Sequence, residues 1–328
     1  MTEAELKDRL LAAMRKRDLP VNDIGSMRRL TGGAMQETWR INTSSPSPYG
    51  NVILRRASDR DEPRPGTVSL RVQAELTEAS RIRGVPGPVV LAILEDADGL
   101  GKGFVMSCVE GETIPQRILK LPILAKARET LADECGRILA ALHATPNQVL
   151  PELPHVTAAE RLQTLYAQYR RQGRNRPVFE LAFSWLRRRL PPSDIAPTLV
   201  HGDFRNGNLI IDESGVAAVL DWERAFIGDP MFDIGWLCMG SWRFGAIDNP
   251  VGGFGSIEAL ASAYQAKGGR FDLDRVRFWE AYGSLDWGVT TVDLAIEAEE
   301  TGAIETAAIG RRTTETEIDL LRLMRDHG

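Results

Sequence analysis

The sequence predicts an α+β chain of two lobes, a small β-rich lobe followed by a larger helical one. Short β-like runs alternate with turn residues from about residue 22 to 108. From Glu110 onward apolar residues recur at helical spacing, and one β-rich island, Leu199 to Asp221, interrupts them. A chain of 328 residues also has the length of about two domains. The expected division is an N-terminal helix over 1–20, a first lobe over 21–108 and a second over 109–328.

Ala4 to Arg17 reads as a short amphipathic helix, with Leu6, Leu10, Ala13 and Met14 on one face and Pro20 ending it. Thr38 to Ile41 and Asn51 to Arg55 read as strands on either side of the turn-rich Ser44 to Gly50. Val68 to Arg83 lacks Gly and Pro and reads as a helix. Val85-Pro86-Gly87-Pro88 stops it. Val89 to Glu95 and Gly103 to Val109 read as strands around Asp96 to Lys102, completing a small mixed sheet with one helix. Asp98 to Gly103 is glycine-rich but runs into a strand, so it reads as a hairpin turn and not as a phosphate loop. In the second lobe Leu131, Cys135, Ile138, Leu139 and Leu142 form a helical stripe. Further helices are expected over 157–172, 177–190, 256–267, 273–300 and 303–325.

Composition narrows the function classes. Lys and Arg number 40 and Asp and Glu 45, a formal charge of −5. That is the wrong sign for a generic nucleic-acid binder, although a local basic pocket is compatible with it. Cys108, Cys135 and Cys238 form no CxxC pair, and an odd number cannot all pair within one chain. Each lies in an apolar stretch, so buried free thiols and a reducing compartment are expected. The first twenty residues mix charges and lack a signal-peptide core. Apolar runs such as Ile234 to Trp242 are far shorter than a membrane helix requires. A cytoplasmic protein without membrane or nucleic-acid partners is expected, as a monomer or homodimer.

The chemistry concentrates in His201 to Asn208 and the residues after it. Leu209–Ile211 and Val216–Leu220 read as two strands joined by the turn Asp212-Glu213-Ser214-Gly215. A hairpin brings its ends together, so Asn208 and Asp221 should sit side by side. Asp203 lies on the loop entering the same corner. Two carboxylates and an amide then converge, an oxygen set that suits Mg²⁺ held with substrate phosphates.

With His201-Gly202-Asp203 and Asn208 in this spacing, the chain resembles the aminoglycoside phosphotransferase and choline kinase-like superfamily. Its signature is H-G-D-x-x-x-x-N followed by a metal-binding Asp. The Asp-to-Asn interval is also that of the protein-kinase catalytic loop, with Gly202 in place of the kinase Arg. Gly228-Asp229-Pro230 and Asp233 match the G-D-P-x-x-D that follows in the superfamily. Gly32 to Trp39, Val52 to Arg56, Gly310-Arg311-Arg312 and Glu315-Thr316-Glu317 are similar to the phosphotransferase domain joined to some acyl-CoA dehydrogenases. The resemblance covers residues from about 22 to 325.

The resemblance implies a protein-kinase-like two-lobed fold, with a nucleotide, ATP or else GTP, between the lobes. The γ-phosphate would pass to a hydroxyl of a small-molecule metabolite, with Mg²⁺ as cofactor. Asp203 would be the catalytic base or orient the acceptor hydroxyl, and Asn208 and Asp221 would hold the metal. Arg55 would contact nucleotide phosphates and pair with Glu75, with Glu78 as the alternative partner. Met106, Ser107, Cys108 and Val109 would form the hinge facing adenine, and Gly32 and Gly33 the turn over the phosphates. Two positions depart from the pattern. Arg55 stands where kinases carry Lys, which keeps the charge but not the compact ammonium. Met35 stands where relatives often have Ser.

Blander roles compete at several positions. His201 reads as structural, since Asp203 already supplies the base. Asp229 and Asp233 read as braces and helix caps. Glu223 reads equally as a partner of the site or a surface charge. Arg56 should point away from Arg55 by strand alternation. Arg205 reads equally as an anion ligand or a structural ion pair, and Trp236, Trp242, Trp279 and Trp287 read as core. Competing functions are a nucleotide-binding regulatory pseudokinase, an aminoglycoside kinase proper and a metal-dependent hydrolase.

Overall fold

The computed structural model describes residues 1–30, 36–57 and 66–327. Helix α1 (Glu3–Lys16) starts at a capping box in which the Thr2 hydroxyl accepts from Glu5 N–H and the Glu5 carboxylate accepts from Thr2 N–H. Its buried face is Leu6, Leu10, Ala13 and Met14, the stripe that the periodicity predicts. Strands β1 (Ile24–Leu30), β2 (Gln36–Thr43) and β3 (Asn51–Ala57) follow, then α2 (Leu70–Ile82), β4 (Val90–Ile93) and β5 (Gly103–Ser107). They form a sheet ordered β1-β2-β3-β5-β4 among the described residues. Every one of its pairings is antiparallel, which corrects the expected mixed sheet. Strand β1 escapes the periodicity because it is an edge strand carrying Ser26, Arg28 and Arg29.

The helical region starts with α3 (Pro115–Lys120), α4 (Ala125–Arg128), α5 (Leu131–His143), α6 (Ala158–Arg171) and α7 (Pro177–Arg187). Two short antiparallel pairs interrupt it. Strand β6 (Thr198–Val200) pairs with β9 (Phe226–Gly228), and β7 (Leu209–Asp212) pairs with β8 (Gly215–Val219). The β7–β8 turn is closed by Asp212, whose Oδ1 accepts from Ser214 N–H at 2.7 Å and Ser214 Oγ–H at 2.6 Å. Helices α8 (Met231–Cys238), α9 (Ile257–Ala266), α10 (Leu273–Thr301), α11 (Ile304–Gly310) and α12 (Thr313–Asp326) complete the region.

Helix α8 is buried all round, so no amphipathic stripe reveals it in the sequence. The single helix expected over 303–325 is two. Gly310 packs so close to α10 that a Cβ would lie 2.8 Å from Ala295 Cα, and the chain turns there. One large core runs through the helical region, from Leu131 and Phe183 to Trp236, Trp279 and Leu320. A smaller core lies between α1 and the sheet, including Leu10, Met14, Val52 and Val105. No helix among the described residues is long and apolar enough to cross a membrane.

Candidate active site

The two short β pairs hold the chemistry-bearing loop between them. Strand β6 delivers His201, and β7 begins just after Asn208. The hairpin closes as the sequence requires, with Leu220 N–H donating to Asn208 O at 2.8 Å, which sets Asn208 beside Asp221. Gly202 has a φ of +81°, and a Cβ there would lie 2.1 Å from Arg224 O. The Arg of the protein-kinase loop does not fit at this position.

Asp203 is held from three sides. Asn208 Nδ2 donates to its Oδ2 at 2.6 Å and to its carbonyl at 2.9 Å. Trp236 Nε1 donates to Oδ1 at 2.8 Å. Arg205 Nε donates to Oδ1 at 3.0 Å and to Oδ2 at 3.2 Å. Trp236 comes from α8 and is 1% exposed, so it is a core residue and a ligand of the carboxylate at once. The sequence carries a weak signal for it, since it lies one helical turn after Asp233.

Asp233 braces the same loop. It is fully buried and accepts from His201 N–H at 2.8 Å, Gly202 N–H at 2.9 Å and His143 Nε2 at 3.2 Å. Asp229 accepts from Met231 N–H at 2.9 Å and Arg275 Nη1 at 2.6 Å. Asp233 thus braces the loop, and Asp229 holds the first residue of α8. His201 is structural too. Its Nε2 lies 3.1 Å from Leu220 O, which can only accept, so Nε2 carries the proton. Its Nδ1 then accepts from Asp203 N–H at 3.2 Å. Burial pushes its pKa down and outweighs the pull of Asp233, Asp203 and Asp221, so the ring stays neutral.

Arg55 reaches into the site from β3, but not to the expected partner. Its Nη2 donates to Asp221 Oδ1 at 3.1 Å and to Gln36 Oε1 at 2.7 Å. Glu75 instead faces Arg71 at 3.7 Å, and Glu78 is held by Arg81 at 2.6 Å. Helix α2 turns Gln73, Ala74 and Thr77 inward, which leaves Glu75 on the exposed side. Arg56 points the other way, donating to Glu37 Oε2 at 2.8 Å and to Leu100 O at 3.1 Å. Glu223 stands in the field of Asp221, Arg55 and Asp203. Burial and the like charge of Asp221 push its pKa up.

Met106 and Ser107 end β5, where the hinge is expected. Ser107 N–H donates to Val89 O and Cys108 N–H to Asn51 O, both at 2.9 Å. Val109 N–H has no protein partner among the described residues. Gly32, Gly33 and Met35 lie outside the described residues. A cavity of about 440 Å³ lined by Gly111, Leu121 and Ser214 lies on the far side of the hairpin and contains none of these groups.

The donor set fits Mg²⁺. Asn208 spends its amide N–H on Asp203, which turns Oδ1 the other way, and Asp221 Oδ2 has no protein partner among the described residues. Mg²⁺ takes one or two protein oxygens and completes its shell with phosphate and water. Among the described residues no group of three His, Cys, Asp or Glu side chains is placed to hold a metal ion by itself.

A model of the phosphotransferase enzyme family (APH) matches residues 26–279, which hold all but the first two residues of the sheet and every residue of this site. The chain belongs to that family. Its fold is shared by a putative aminoglycoside phosphotransferase from Ralstonia eutropha at TM-score 0.76 and 21% identity, over 97% of this chain and 98% of that one. Spectinomycin phosphotransferase in complex with ADP and spectinomycin follows at TM-score 0.64 and 11% identity, covering 98% of each. Among curated relatives, acyl-CoA dehydrogenase family member 10 of Mus musculus is 30% identical over 211 residues, 60% of this chain. The probable acyl-CoA dehydrogenase IBR3 of Arabidopsis thaliana is 27% identical over 230 residues, 63% of this chain. The matches span only 19% and 27% of those relatives. The phosphotransferase fold is kinase-like, an antiparallel sheet followed by a helical region.

Proposed function

We propose that the chain transfers the γ-phosphoryl group of ATP, or else GTP, to a hydroxyl of a small-molecule metabolite. The convergence of Asp203, Asn208 and Asp221 at one corner carries this reading. The ADP held by spectinomycin phosphotransferase supports nucleotide use. Asn208 Oδ1 and Asp221 Oδ2 would hold Mg²⁺, which when bound supplies charge neutralisation on the phosphate oxygens. Arg55, beside Asp221, would add a cation to the same phosphates, and Val109 N–H would meet the base. Three free thiols and the lack of a membrane-crossing helix among the described residues support a cytoplasmic setting.

Asp203 would receive the proton of the acceptor hydroxyl. Its two oxygens are already engaged by Asn208, Trp236 and Arg205. Trp236 and Asn208 are buried, whereas the Arg205 side chain is 25% exposed. Arg205 is therefore the partner that yields to the hydroxyl, and its guanidinium becomes available to the transferring phosphate.

The test is ATP consumption over a panel of hydroxyl compounds. Asp203→Ala should abolish transfer and keep nucleotide binding. Asp221→Ala should weaken binding of the Mg²⁺-nucleotide itself. Full turnover in the Asp203 variant would rule out this mechanism, and nucleotide binding without turnover on any compound would favour a regulatory protein.

A further inference from the structure

We propose that the acceptor is an anion, whose carboxylate or phosphate is received by Arg161 and Arg224 beside Asp203. This deepens the reading above and rests on it. Two guanidiniums, Arg205 and Arg224, border Asp203, and a third, Arg161, stands in the field of Arg224, each laid on an aromatic ring. Arg205 lies 4.6 Å from the Trp242 ring centre and Arg224 4.7 Å from that of Trp236. Arg161 lies 3.7 Å from the Phe226 ring centre and 4.7 Å from that of Phe232. Phe232 and Trp236 are stacked 5.7 Å apart at 12°. The aromatic floor therefore runs unbroken from Arg161 to the indole that holds Asp203.

The charges on this wall do not balance. Arg205 faces Asp203, and Arg224 Nη2 donates to Asp286 Oδ2 at 2.8 Å. Asp286 and Asp203 outweigh burial and hold Arg224 firmly protonated. Arg161 has no carboxylate within salt-bridge distance among the described residues, and its Nε is buried without a partner. Burial pushes its pKa down, and the like charge of Arg224 adds to this against the pull of Tyr282 and Asp286. Besides Asp203, the acids that act on these two cations are Asp286, which already accepts from Arg224, and Glu223, whose pKa burial pushes up. A guanidinium fork pre-oriented on a ring suits carboxylate or phosphate, and an anion there would offset the cost of the buried charge. An amino sugar or choline would meet the wrong sign.

With such an acceptor bound, its hydroxyl oxygen bonds to the γ-phosphorus as the bond to the β,γ-bridging oxygen breaks. ADP leaves, and the hydroxyl proton passes to Asp203.

Matched probes test this with ATP and Mg²⁺: glycerol 3-phosphate against glycerol, 3-hydroxybutyrate against butane-1,3-diol, and choline. ADP release is measured for the wild type, Arg161→Gln and Arg161→Lys, and calorimetry measures binding of each probe to Asp203→Asn. One anion of a matched pair should be preferred at least tenfold, and which one distinguishes phosphate from carboxylate. Arg161→Gln should raise the KM for that anion about tenfold more than the KM for ATP, with partial recovery in Arg161→Lys. Equal or better use of the neutral partners or choline overturns the anion site and leaves phosphoryl transfer standing. So does an unchanged acceptor KM in Arg161→Gln. If nothing is turned over but an anion binds Asp203→Asn selectively, the anion site stands and the phosphotransfer reading falls. Failure of both anions to bind at about 10 mM overturns the anion site.

Discussion

Replacing Trp236 by Phe removes one hydrogen bond from the carboxylate proposed to take the acceptor proton and leaves a ring in its place. The indole N–H lies 2.8 Å from Asp203 Oδ1, is almost fully buried, and donates to a carboxylate oxygen. A hydrogen bond to a charged group is worth about 1.5–3 kcal/mol. Asn208 still holds Oδ2, so the carboxylate stays in the site but loses its fixed rotation. Arg205, already 3.0 Å from Oδ1, then takes the vacated oxygen and becomes harder to displace. At about 1.4 kcal/mol per tenfold, kcat should fall about 10- to 100-fold. The KM for ATP should stay within about twofold, because the interaction lies on the acceptor side of the carboxylate. Steady-state ADP release reads both constants, and circular dichroism checks the fold. A folded Trp236→Phe enzyme with kcat within about twofold of the wild type would show that the indole only packs.

Gly202→Ala should lower both the melting temperature and kcat, because its Cβ would lie 2.1 Å from the Arg224 carbonyl and neither backbone can move aside. Gly84→Ala is the control, with a φ of +92° but nothing within 4 Å, so it should cost only the left-handed strain of about 1–2 kcal/mol. Equal losses in the two variants would remove the steric argument. Glu280, buried and facing Arg243, has a pKa pushed up to about 7 by burial. The folded chain then holds a proton that the unfolded chain releases above its ordinary value, so this group's contribution to stability falls as pH rises from about 4.5 to 7. The full shift corresponds to about 3 kcal/mol. Glu280→Gln should flatten the melting temperature between pH 5 and 8 by about 5 °C or more relative to the wild type, and parallel pH curves would refute the assignment.

The corner that carries the chemistry was legible because its geometry is local. A hairpin of a dozen residues forces Asn208 and Asp221 together whatever surrounds it, and Asp203 is only five residues from Asn208. The helix stripes of α1 and α5 were legible for the same reason, since periodicity needs no distant partner. The uniformly buried α8 and the charged edge strand β1 carry no such period.

The sequence alone therefore determined the fold class and the convergence of Asp203, Asn208 and Asp221 at one corner. Only the tertiary structure decided what those groups touch. Arg55 meets Asp221 across 166 residues, in place of the Glu75 that the resemblance implied, because α2 turns that face outward. Trp236 reaches Asp203 across 33 residues, and Arg224 reaches Asp286 across 62. Side-chain hydrogen bonds and ion pairs act over about 3 Å in space, and separation along the chain does not specify them. The aromatic floor that positions the guanidiniums exists only once α6, α8 and β9 have packed together.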